Sequence, residues 1–110
     1  MQPKSLGIVS VTTPGSPVAL TADPSIRAQR VRAAVVIGHT GKAYLGTKTM
    51  NRTTFEGVVK EFWPTGAGGG VADEVTIEAP TGAGNALRLS DLAVDANVPG
   101  EGLLIEYWVA

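Results

Sequence analysis

The stretch LSDLAVDANVPGEGLLIEYWVA, residues 89–110, decides the fold. Two runs with the two-residue period of a strand flank the turn Pro99-Gly100-Glu101-Gly102. In the first, Leu92, Val94, Ala96 and Val98 share one face, and Asp91, Asp95 and Asn97 share the other. In the second, Leu103, Ile105, Tyr107 and Val109 make one apolar face. Leu104 and Trp108 flank Glu106 on the opposite one, where a half-buried strand should show water a polar face. A second apolar face implies a partner chain or a loop of the same chain folded over it.

Working outward, most of the chain has the same period. Residues 6–13 are rich in β-branched side chains and end at Pro14-Gly15. Residues 17–22 alternate, residues 42–47 make a short strand, and residues 74–79 set Val75, Ile77 and Ala79 against Glu74, Thr76 and Glu78. Residues 54–63 form a longer mixed run in which Gly57 predicts a bulge that switches register. Residues 66–70 and 80–85 are Gly-rich turns. Residues 23–37 allow two readings. Asp23 as N-cap and Pro24 at the first helical position suit a helix. The run Val35-Val36-Ile37 tips the reading to a strand from about Arg30, with Val31, Ala33, Val35 and Ile37 on one face and Arg30 and Arg32 on the other.

About eight strands, with turns every eight to twelve residues, predict an all-β, antiparallel sandwich in a single domain over residues 1–110. Residues 1–5 lack periodicity and are expected to form a flexible arm. The start MQPKSLGIVS carries no apolar run of signal-peptide length, and no stretch is long and apolar enough to span a membrane. Asn51-Arg52-Thr53 spells a glycosylation sequon, read here as a chance match.

Charge is uneven. Residues 1–52 carry +6 and residues 53–110 carry −7, which leaves −1 for the chain. The bases are scattered and few aromatics lie among them, so no nucleic-acid partner is expected. A sandwich that mixes both halves in each sheet gives the imbalance no meaning. Alternatively, basic and acidic edges of like copies meet.

Chemistry is hard to find. With no cysteine, disulfides and thiolate metal sites are excluded. His39 is the only histidine and sits between glycines, as a turn residue would. Gly41-Lys42 lacks the rest of a phosphate-binding loop. Asp91 and Asp95 lie about 13 Å apart along one strand, too far for a paired acid and base, and are read as a solvated face. No catalytic residue, cofactor or metal is predicted. What remains is surface: Arg30, Arg32, Phe62, Trp63, Leu104 and Trp108 are the candidate interface residues, the aromatics for their large area and polar tips.

The stretches VTTPGSPVAL (11–20), TGKAYLG (40–46), SDL (90–92) and VPGEG (98–102) resemble small virion proteins of tailed bacteriophages, the capsid decoration or cement proteins. The resemblance covers most of the chain and departs over residues 50–61 and 66–70. It implies a jelly-roll sandwich, a homotrimer, the major capsid protein as partner, and a place on the capsid surface of a virion assembled in the host cytoplasm. It brings no motif residue that marks a site. Two alternatives stay open: a neck, tail or fibre-adaptor component of the virion, and a carbohydrate-binding sandwich displaying Trp63 and Trp108.

Overall fold

Two four-stranded antiparallel sheets pack face to face in the computed structural model, which describes residues 2–64 and 73–110. The strands are β1 (Gln2–Ser10), β2 (Val18–Ala19), β3 (Arg27–Ala28), β4 (Arg30–Val35), β5 (Ala43–Thr47), β6 (Val58–Phe62), β7 (Glu74–Glu78), β8 (Leu87–Arg88), β9 (Leu92–Ala96) and β10 (Gly102–Val109). The front sheet runs β1-β10-β4-β7 and the back sheet β2-β9-β5-β6. The short strands β3 and β8 form a separate ribbon, and a single 3-10 turn, Leu89–Asp91, leads from it into β9. The fold is an all-β sandwich.

Period-two alternation builds the core. Val31, Ala33 and Val35 of β4 and Leu103, Ile105 and Tyr107 of β10 meet Ala43 and Leu45 of β5, Val94 and Ala96 of β9, and Phe62 of β6. All are buried. Each fully buried aliphatic or aromatic side chain of this kind stabilises the fold by about 1.5–3 kcal/mol.

Two expectations need correction, on residues 2–5 and on Ile37, while the strand reading from Arg30 holds. Residues 2–5 are not an arm: they are the first half of β1, which pairs with β10 from Gln2↔Val109 to Ser10↔Gly102. Pro3 and Lys4 hide the periodicity, and a bulge between Ser5 and Gly7 shifts the register. Residues 23–37 hold no helix. Asp23 accepts hydrogen bonds from the amide and hydroxyl of Ser25, which makes a turn rather than an N-cap. Its carboxyl is held below the usual range by those same bonds, the hydroxyl's first. Ile37 does not continue the buried face of β4; it lies past the strand end, 85% exposed. The Gly-rich turn over residues 66–70 lies outside the described residues.

Candidate interaction surface

The outer face of the front sheet is built from three rungs set by strand register. Pro3, Trp108, Arg30 and Glu78 form the first; Ser5, Glu106, Arg32 and Thr76 the second; Ile8, Leu104, Ala34 and Glu74 the third. Four of the six residues expected at an interface, Arg30, Arg32, Leu104 and Trp108, therefore share one surface.

Trp108 is neither buried nor bare. The Arg30 guanidinium lies 5.8 Å from its ring centroid and Pro3 flanks it on β1. A snorkelling arginine thus supplies part of the cover expected of a partner chain or a loop. Arg30 also donates to Glu78 at 2.6 Å. Arg32 reaches both Glu106, at 2.5 Å, and Glu74. Its pKa is raised, first by the hydrogen bond to Glu74, although burial works the other way. Exposed pairs like these fix side-chain positions more than they stabilise the fold.

They also join the two oppositely charged halves of the sequence. Arg30–Glu78, Arg32–Glu74, Arg32–Glu106, Lys42–Glu61 and Arg52–Asp95 all join a base of residues 1–52 to an acid of residues 53–110. Arg30, Arg32, Lys42 and Arg52 thus meet acids of the other half within one chain.

The third rung carries no such pairing around Leu104. Ile8, half exposed at 51%, and Ala34 face Leu104 directly across the sheet. With Val36 and Ile37 they line an apolar hollow of about 310 Å³, with Arg32 at its rim. Sequence reading missed Ile8 and Ile37 in this role. The signal for Ile37 was present, because Gly38 beside it, at φ 93°, ends the strand alternation.

The other two candidates lie elsewhere. Phe62 is fully buried, so its place at an interface is corrected: it is a core residue on the inner face of β6. Trp63 is 55% exposed just beyond the end of β6, with the Lys42 ammonium 3.9 Å from its ring centroid. Its amide donates to Asp73 Oδ2, and the carbonyl of Asp73 accepts from Val35 at the far end of β4 from Arg30. Trp63 and Trp108 thus sit near opposite ends of β4, about 16 Å apart along the strand.

The back sheet's outer face has a different fate. Residues 48–57 fold over it as a flap, and Met50 packs on Tyr44 and Ala93 in a second small core. Phe55 takes a left-handed φ of 63° to set its ring edge-on to Tyr44, 6.3 Å between centroids. The flap closes tightly at its base, where a side chain on Gly46 would collide with the backbone of Gly57 and Val58. The sequon asparagine shapes the turn: Asn51 Oδ1 accepts from the amides of Thr53 and Thr54.

Asp95, expected on a solvated face, is only 1% exposed beneath this flap. Its Oδ1 accepts from Gly15 N–H at 3.0 Å and from Ala96 N–H at 2.8 Å. Its Oδ2 has no hydrogen-bond partner among the described residues, but Arg52 Nε of the flap stands 3.9 Å away. Arg52 in turn donates to Ala96 O and Asn97 Oδ1. One buried carboxylate therefore ties together the turn after β1, strand β9 and the flap.

A second carboxylate clamps the end of the sandwich. Glu101 accepts from the amides of Thr40 and Gly41 at 2.8 and 2.9 Å. Burial pushes its pKa up, yet these bonds, the Thr40 hydroxyl and the nearby His39 outweigh it and hold the carboxyl below its usual value. Among the described residues, no three His, Cys, Asp or Glu side chains group closely enough to hold a metal ion.

The chain matches no protein-family model, no curated protein and no solved structure.

Proposed function

We propose that this chain is a structural virion protein that binds the outside of a phage head, as a homotrimer, and bridges neighbouring capsid subunits. The observation that carries the reading is the apolar hollow of Ile8, Ala34, Val36, Ile37 and Leu104 on an otherwise ion-paired sheet face. Contiguous apolar surface framed by polar residues is what a protein contact uses. The sequence resemblance over residues 11–20, 40–46, 90–92 and 98–102 supports the same reading. So does the strand order. Without the β3–β8 ribbon, the eight remaining strands run 1-8-3-6 over 2-7-4-5, which supports a jelly roll of two interleaved Greek keys.

The physical role follows from linkage. A clip that binds only the intact shell adds its binding free energy to the shell's stability. Three copies in a ring engage several subunits at once, and avidity multiplies modest contacts.

The test is co-sedimentation with purified heads stripped of the protein, followed by heating. Binding that raises the temperature at which heads release DNA supports the reading. Failure to bind heads, or a clean monomer by light scattering at high concentration, counts against the shell role and the trimer respectively. Copy number separates the reading from a neck or tail component: hundreds per particle against a handful.

A further inference from the structure

The β3–β8 ribbon places two arginines where the fold gains nothing from them. Arg27 and Arg88 are directly opposite each other across the antiparallel pair. Cross-strand partners point to the same side, with Cβ atoms about 4.5–5.5 Å apart, and like charges so placed repel. Both side chains are exposed, and neither has a hydrogen-bond or ion-pair partner among the described residues. The contrast with the front sheet is sharp, because Arg30 and Arg32 both carry glutamates there. Ala28 and Leu87, the next pair along, take the inner side, where Ala28 is buried.

Arg27 and Arg88 line a shallow hollow of about 460 Å³ together with Ala86, Leu87, Leu92 and Asp91. Its chemistry is mixed. Two forked donors stand beside aliphatic surface, and Asp91 lines the same hollow without an ion pair to either arginine. Paired guanidiniums are suited to bidentate recognition of a planar oxyanion. The half-buried Leu92 beside them suits a short methylene stem. Asp91 repels a ligand of high charge, so a singly charged carboxylate fits better than a phosphate dianion or a nucleic-acid backbone.

We propose that Arg27 and Arg88 form a recognition site for a carboxylate side chain, a glutamate or aspartate presented by an acidic segment of a partner protein. The site stands apart from the apolar hollow on the front sheet and does not depend on the partner being a capsid. An incoming carboxylate would relieve the repulsion between the arginines and supply the acid that the ribbon lacks.

The experiment is an NMR titration of the full ¹⁵N-labelled chain, reading the arginine Nε–H signals and the amides of residues 86–92. The probes are a short glutamate-rich peptide and, separately, inorganic phosphate at equal ionic strength. Expected is a saturable shift of the Arg27 and Arg88 signals with the peptide, at least tenfold weaker in Arg27→Gln and in Arg88→Gln. Because each variant removes a repulsion, its melting temperature should stay level or rise, so lost binding cannot be ascribed to unfolding. Peptide shifts equal in the wild type and both variants would overturn the site. Phosphate binding as tight as the peptide would overturn its assignment to carboxylate.

Discussion

The sandwich has two outer faces, and they have been finished in opposite ways. The back sheet's face is roofed by the chain itself: the 48–57 flap buries Tyr44, Met50 and Ala93 and seals Asp95 beneath them. Among the described residues, nothing roofs the front sheet's face. Arginine–glutamate rungs cover two thirds of it, and an apolar hollow around Leu104 is left open. The difference teaches that a face is structural or available according to what folds over it, not according to how polar its strands read. The polar-looking strand, β9, is the buried one. The greasy-looking strand, β10, is the one that meets water.

Breaking the roof should have the largest effect. Asp95→Ala leaves the Gly15 and Ala96 amides without their acceptor and Arg52 without its buried counter-charge. A loss of about 3 kcal/mol is expected in urea denaturation. Next is Met50→Ala, which empties the centre of the small core between flap and sheet. It should cost about 2 kcal/mol in the same measurement, with little change in the rest of the fold.

The open face should behave in reverse. Ile37→Ser is expected to change stability by less than about 1 kcal/mol, since Ile37 is 85% exposed, and Leu104→Ser, at a half-buried site, to cost only about 1–2 kcal/mol. Head binding measured by co-sedimentation should nevertheless fall at least tenfold. If these variants unfold the protein while leaving binding intact, the roles of the two faces have been exchanged.

The smallest effect sharpens the frame that holds both faces in place. Glu101 has a lowered pKa in the folded chain, so on acidification the unfolded chain takes up its proton first. Its contribution is full above the ordinary glutamate value of about 4.3 and is lost as pH falls through the lower folded value. The urea midpoint should therefore decline over that window, and Glu101→Gln should flatten the decline.

Much of the fold was legible in the sequence, and the limit has a physical cause. Alternation in residues 74–79, 92–98 and 103–109 locates β7, β9 and β10 because one side of each strand faces the core. Alternation also places Arg30 and Arg32 together opposite Val31 and Ala33. It says nothing of what lies over the second side. The segment TKTMNRTTFEG over 47–57 covers Tyr44 and Asp95, and its last residues, 54–57, read as the start of a strand that in fact begins at Val58. Its shape comes from the Asn51 turn, the left-handed Phe55 and the close approach at Gly46 and Gly57, each a local device. For the same reason the arginine that shields Trp108 was visible as a residue but not as a cover. The register that sets Arg30 against Trp108 joins segments far apart in sequence.

The contrast between the faces is most directly measured by hydroxyl-radical footprinting of the protein, dilute and bound to heads. Ile8, Ile37 and Leu104 should label readily in dilute solution and become protected on the particle, while Met50 and Tyr44 stay protected in both. Rapid labelling of Met50 in the dilute native protein, or equal labelling of Ile8 and Ile37 in both states, would contradict the assignment of one face to structure and the other to assembly.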